Sequence, residues 1–369
     1  MNEKKFTIIQ NALGCEFVVD LPKTREGSPI RILQLTDPQI IDLSQIEDPA
    51  SLIVEKPIFA DRFKVWTSGD FDAQCGNHIR SLMAQVQPDL VFMTGDIVYG
   101  RYDDNGTALK WLCDLMDSFA VPWAPVFGNH DNEAKIGVDA QCRILLESKY
   151  CLFKRGEVTG NGNYSVGVAV GGELVRVLHL LDSNGCRHTS DTSVTAKPGL
   201  YGDQIELVRS TTAAVSRESG RAVPAFLAFH IPHAIFHKAE VEKGYVNETR
   251  SFYVIGVDVP ALNGDFGFKL DSCDTFETGV DMVDLFHKNG IEGIFIGHHH
   301  NTATLINYKG ISLVFGLKTG QYDSYIPGNI GGTLITLLGD KFDVKNISSC
   351  CPYGTVPRDE PRYRGFFVE

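Results

Sequence analysis

Apolar residues in this chain fall mostly into short unbroken runs that stop at glycine, aspartate, asparagine or histidine. Ile30-Arg31-Ile32-Leu33-Gln34-Leu35 reads as a strand ended by Thr36-Asp37-Pro38-Gln39, where proline halts the ladder. Leu90 to Met93 runs into Thr94-Gly95-Asp96, Trp123 to Phe127 into Gly128-Asn129-His130-Asp131, and Ala225 to Phe229 into His230. Ile291 to Ile296 breaks at Gly297 directly before His298-His299-His300. Runs this short predict buried strands. Successive residues of an extended chain face opposite sides, so His298 and His300 should project together while His299 faces away.

Elsewhere the spacing is helical. Ile79, Leu82, Met83 and Val86 predict a helix over 77–87 that stops before Pro88, with further helices over 107–119, 140–150, 203–216 and 280–289. Strands are expected at 164–170, 174–181, 311–315 and 333–338. Residues 40–72 are polar and irregular, with Asp61, Arg62 and Trp66 as candidate rim residues. Residues 234–279 carry aromatics, glycines and aspartates with weak periodicity, which predicts a long insertion near a site mouth. No repeat or linker divides the chain, so one domain over 1–369 is expected, with a core of about 28–340 and a tail over 341–369 that wraps the surface.

At 369 residues and 43% hydrophobic, the chain can bury a full core. Its net charge of −12 argues against nucleic-acid or membrane-surface partners, which normally meet a basic face. An anionic substrate would then need a local cation, and bound metal is the obvious source. Nine cysteines without a CxxC pair read as reduced packing residues rather than a disulfide framework. The amino terminus lacks the apolar segment of a secretory signal, and no run of about 18 apolar residues could span a membrane. A cytoplasmic location is the expectation that follows.

Asp37, Asp96, Asn129, His230 and the His298/His300 pair therefore all stand at strand ends, where α/β sheets place their ligands. Singly, each has a structural explanation as a cap, a turn residue or a satisfied core histidine. Jointly, oxygen donors and imidazoles at one sheet edge suit two ions about 3.5–4 Å apart with a bridging carboxylate. Such a pair clamps a phosphoryl group and lowers the pKa of a bound water, so that hydroxide can attack phosphorus in line.

The ordered series Asp37-x-Gln39, Gly95-Asp96-x-x-Tyr99, Gly128-Asn129-His130-Asp131, His230 and Gly297-His298-x-His300 resembles the calcineurin-like metallophosphoesterases, and within them the purple acid phosphatases. The resemblance implies an α/β (α+β) fold, a four-layer αββα sandwich of two mixed β-sheets flanked by helices. It also implies that Asp37 and His300 bind one metal, that Asn129, His230 and His298 bind the other, and that Asp96 bridges both. His130 would hydrogen-bond the phosphate and protonate the leaving oxygen, with Asp131 orienting it. Gln39 departs from the pattern, because most of the superfamily has a histidine ligand there. In the purple acid phosphatases a tyrosinate replaces that histidine, and Tyr99 stands at its spacing. Tyr99 as a ligand implies Fe(III) paired with Zn, Mn or Fe(II); otherwise Tyr99 packs or hydrogen-bonds. His233 and His237 stand where similar enzymes contact the leaving group, and Gln39 joins them as a substrate-binding candidate.

The function expected is a dinuclear metal-dependent phosphatase that hydrolyses phosphomonoesters of small molecules or phosphoproteins by direct attack of a metal-bound hydroxide. The alternatives are a phosphodiesterase acting on nucleotide or lipid-headgroup diesters, and a weakly active metal-binding scaffold. The oligomeric state is left open.

Overall fold

The structure, a computed structural model, describes residues 5–50, 65, 69–186, 194–272, 275–326 and 329–349. Asp61, Arg62, Trp66 and the tail from 352 lie outside the described residues. The chain opens with a hairpin of β1 (Thr7–Ala12) and β2 (Cys15–Leu21). Then β3 (Ile30–Leu35), β4 (Leu90–Thr94) and β5 (Trp123–Val126) alternate with the helices α1 (Asn77–Val86) and α2 (Thr107–Ser118). After α3 (Val138–Glu147) come β6 (Tyr164–Val170), β7 (Glu173–Leu180), α4 (Gly202–Ser219), β8 (Ala225–Ala228) and α5 (Ile235–Glu242). β9 (Tyr253–Val254), β10 (Phe266–Lys269), α6 (Met282–Lys288), β11 (Ile291–Ile296) and β12 (Thr302–Tyr308) follow. β13 (Ile311–Phe315), β14 (Gly331–Leu338) and β15 (Lys341–Ser348) complete the described elements.

Two mixed sheets result. The smaller has the order β15-β14-β3-β4-β5, with β3, β4 and β5 mutually parallel. The larger runs β1-β2-β6-β7-β8-β11-β13-β12-β10-β9, and its centre, β7-β8-β11-β13, is parallel. Parallel strands covered on both faces need the near-continuous apolar runs seen in the sequence. The sheets meet face to face: Phe92 of β4 lies edge-on to Phe295 of β11 at 5.7 Å, and Phe226 of β8 to Phe342 of β15 at 4.9 Å. Ile79, Leu82, Leu112 and Met116 of α1 and α2 cover the outer face of the small sheet, while Ile205, Val208, Phe236 and Leu285 of α4, α5 and α6 cover that of the large one. The layers are helix, sheet, sheet, helix, as the resemblance implied. Among the described residues no helix is long and apolar enough to cross a membrane.

Two sequence boundaries need correction. β1 and β2 precede the expected core and β15 follows it, yet all three are sheet strands. As edge strands with exposed faces, β1 and β15 lack the apolar continuity that marks a central strand. The segment 234–279 is only partly an insertion: it contributes α5, whose Phe236 and Ala239 are core residues, and the edge strands β9 and β10.

Candidate metal centre

β3, β4 and β5 of one sheet and β8 and β11 of the other direct their carboxyl ends to one edge, where the chain must leave the ladder. Asp37, Asp96 and His298 do so with left-handed φ of 50°, 50° and 75°. Such a conformation is uncommon for residues with a Cβ and gathers at functional sites. Here it is held by hydrogen bonds among the strand ends: His298 N donates across the two sheets to Asp37 Oδ2 at 3.1 Å, Thr36 Oγ1 to the same oxygen at 2.7 Å, and His130 N to Asp96 Oδ1 at 2.9 Å. The glycines in the motifs allow this closeness. A Cβ at Gly128 would collide with Asp96, and one at Gly297 with Thr36 and Asp37.

The donors converge in two sets. Asp96, His230 and His298 bring one ligand atom each within 4.8 Å of one another, and so do Asp37, Asp96 and His300. Asp96 belongs to both. Its Oδ2 lies 3.2 Å from His230 Nε2, His298 Nδ1 lies 3.3 Å from that same nitrogen, and Asp37 Oδ1 lies 3.4 Å from His300 Nε2. The outer nitrogens are tied: His230 Nδ1 to Thr94 O at 2.6 Å, and His300 Nδ1 to Ser324 Oγ at 3.0 Å. Each tie leaves Nε2 as the inward nitrogen, the arrangement of a metal-ligating imidazole. Asp37 Oδ1 and Asn129 Oδ1 are buried without a hydrogen-bond partner. Buried acceptors of this kind are rare unless something else satisfies them. The donor set, with oxygens and imidazoles around a shared carboxylate, fits two metal ions.

Charge at the centre is balanced internally. Burial works against ionisation of Asp37, but His300, His230 and Lys318 hold its carboxyl down at about 2. Burial likewise opposes protonation of His230, yet Asp96 and Asp37 raise it to about 9. Burial, reinforced by the charge of His230, pushes His298 well below the usual range. Gln39 donates from Nε2 to Asp96 Oδ2 at 3.2 Å and lies 3.0 Å from His300 Nε2, while its Oε1 accepts from Lys318 Nζ at 2.8 Å.

A cleft of about 610 Å³ opens over these residues, lined in part by Asp96, Asn129, His130, Glu133, His298 and His300. His130 does not take its orientation from Asp131. Both Asp131 oxygens accept backbone amides, Val98 N at 2.9 Å and Gly128 N at 2.7 Å, so this side chain pins the β4 and β5 loops together. Burial and the Asp96 charge push its carboxyl up to about 8. The partner of His130 is Glu133, one turn later, with Oε2 2.7 Å from Nδ1. Tyr99 also lines the cleft, its ring stacked on His130 at a centroid distance of 4.0 Å and on Tyr102 at 5.3 Å. Burial and the charge of Asp323 push its phenol pKa upwards.

His233 and His237 do not line the cleft. His233 Nδ1 accepts from Ile235 N at 3.0 Å at the start of α5, and burial lowers the ring to about 4. His237 is half-exposed, 3.6 Å from Glu240. His237 is carried off by α5 and His233 is held in the turn before it, which the weak periodicity there concealed. His299 joins neither donor set; it stacks on Phe315 at 5.1 Å and lines the cleft beside His298 and His300.

A model of the calcineurin-like phosphoesterase family matches residues 30–302, from the start of β3 through β11. The chain belongs to that family. It is 21% identical to the probable inactive purple acid phosphatase 14 of Arabidopsis thaliana over 70% of this chain and 65% of that protein. To phosphatase DCR2 of Saccharomyces cerevisiae it is 24% identical, over 70% of this chain and 45% of that one. The chain thus spans less than two thirds of the length of these curated relatives. Among solved structures, a dimetal phosphatase from Danio rerio superposes with a TM-score of 0.46 at 11% identity, covering 87% of this chain and 97% of that one. A purple acid phosphatase from yellow lupin seeds gives a TM-score of 0.49 at 16% identity, covering 92% and 55%.

Two residues of the site carry little signal in the sequence. Glu133 is signalled only by its place three residues after His130. Lys318 follows the apolar run 311–315, whose end, read as the others were, would have marked a sixth strand tip.

Proposed function

We propose that this phosphoesterase is a dinuclear metal-dependent phosphatase acting on phosphomonoesters. One observation carries the reading: Asp96 is shared by two donor sets, beside the partnerless buried oxygens of Asp37 and Asn129. Asp37, Asp96 and His300 would hold one ion, and Asp96, Asn129, His230 and His298 the other. Two bound ions would supply Lewis-acid polarisation of the phosphoryl group and a bound water of lowered pKa. The chain's own part is positional and acid–base. Glu133 holds the His130 Nδ1 side, which leaves Nε2 to hydrogen-bond the leaving oxygen and pass it a proton. Tyr99 stacks against the same imidazole and limits its rotation.

The expectation of Fe(III) with Zn, Mn or Fe(II) turns on Tyr99 as a phenolate. Its stacking on His130 favours divalent ions at both sites, with Tyr99 as a wall of the cleft. A visible absorption band in the loaded protein that disappears in Tyr99→Phe would restore the ferric reading. Cys15, Cys75, Cys113, Cys142 and Cys151 are free thiols, which suits the proposed cytoplasmic location. Small phosphoesters or phosphoproteins are the proposed substrates.

One relative is named probably inactive and another a phosphatase. The deciding experiment is turnover of an aryl phosphomonoester against the matching diester by metal-loaded protein. Faster monoester hydrolysis is expected. Faster diester hydrolysis would make the chain a phosphodiesterase, and no turnover of either would leave a metal-binding scaffold.

A further inference from the structure

Within the two-metal reading just given, the geometry points to unequal metal sites, and we infer that Lys318 and Gln39 are the residues that make them so. Lys318 is buried at the end of β13, a strand parallel to β11, so its ammonium arrives at the same edge as the ligands. It donates to Gln39 Oε1 at 2.8 Å and to the carbonyl of Asp37 at 3.0 Å. An ammonium has donors only, which fixes the orientation of the Gln39 amide: the oxygen turns to Lys318 and the NH₂ group turns to the ligands.

The consequence falls mainly on one site. Gln39 Nε2 reaches Asp96 Oδ2 at 3.2 Å and His300 Nε2 at 3.0 Å. These belong to the Asp37, Asp96 and His300 set, which thereby faces two amide hydrogens where an ion would want a lone pair. Gln39 presents no acceptor there, because its oxygen is turned away toward Lys318. The buried positive charge, already felt by Asp37, adds electrostatic opposition to a cation in the same place. Gln39 reaches the Asp96, His230 and His298 set only through the Asp96 Oδ2 that both sets share, not at an imidazole, and the partnerless Asn129 Oδ1 stands in the same cleft. The site built on His230 and His298 therefore fills first, and the site built on Asp37 and His300 fills at higher metal concentration. Occupancy of the second ion becomes a function of metal supply, and with it any activity that needs both.

The test is a binding isotherm with Mn(II) alone, by equilibrium dialysis and elemental analysis of the full chain, with no turnover involved. Two steps are expected, their dissociation constants at least about tenfold apart, the scale on which residues behind the ligands tune affinity. His300→Ala should remove the weaker step and His298→Ala should weaken the tighter one. Lys318→Met, which keeps length without charge, should tighten the weaker step at least about tenfold. Gln39→His, which replaces the donor with an imidazole acceptor, should do the same independently, so a folding defect in one variant, seen by circular dichroism, does not decide the matter. Two equal steps in the wild type, or a weaker step that neither variant moves, would overturn the inference. A chain inactive on phosphomonoesters that still shows the two unequal steps would sink the phosphatase reading and leave this one standing.

Discussion

His130 Nδ1 lies 2.7 Å from Glu133 Oε2, and the backbone amide of the same histidine donates to Asp96 Oδ1 at 2.9 Å. Ring and backbone are thus anchored to two different carboxylates, one buried beside the cleft and one at the metal centre. Truncating Glu133 should free the ring without touching a ligand. Glu133→Ala is expected to lower kcat at least about tenfold, the lower range of general-acid contributions, with Glu133→Gln intermediate and metal content unchanged. Because proton donation matters most for poor leaving groups, alkyl phosphates should suffer more than aryl phosphates. An equal loss on both would assign Glu133 a merely structural role.

Asp96 is the one donor common to both sets, so Asp96→Asn should lose both ions rather than one. Metal at about a hundredfold its dissociation constant should stabilise the wild type by about 2.7 kcal/mol per site against unfolding. Thermal denaturation with and without a chelator measures this. The variant is expected to show no metal-dependent rise in Tm.

The pH dependence follows from His230, whose folded value of about 9 exceeds the 6.5 of an unperturbed histidine. A raised value means that the metal-free fold holds the proton more tightly than the unfolded chain. Its stabilising contribution is complete below pH 6.5 and is lost as pH rises through about 9. Metal must displace that proton, so affinity at the His230 site should climb about tenfold per pH unit toward 9 and level off above it. Metal-free Tm should fall over the same window, and by less in His230→Gln. A pH-independent metal affinity between 6.5 and 9 would contradict this account.

Gly297→Ala places a methyl group against Thr36 and Asp37. Forced packing of this kind costs about 1–3 kcal/mol, and here it also displaces a ligand. The variant should bind metal more weakly and melt earlier. Gly202→Ala, at the start of α4, meets nothing within 4 Å and should be neutral or slightly stabilising. Denaturant midpoints of the two variants make the comparison.

The sequence by itself determined the strand tips and the residues standing on them. An apolar run broken by glycine and a polar ligand is a local signal, and Asp37, Asp96, Asn129, His230, His298 and His300 could all be picked out one at a time. The tertiary structure alone decided how those tips address one another. Lys318 meets Gln39 across 279 residues of chain, because the ends of β13 and β3 reach the same edge from different sheets. Likewise, the loops after β4 and β5 occupy both Asp131 oxygens, and α5 draws His237 away from the cleft. Periodicity records which face of an element is buried, since burial selects residue type position by position. It records nothing of which elements lie side by side, and that adjacency decides whether a polar side chain becomes a ligand, a partner of a ligand, or a pin in a loop.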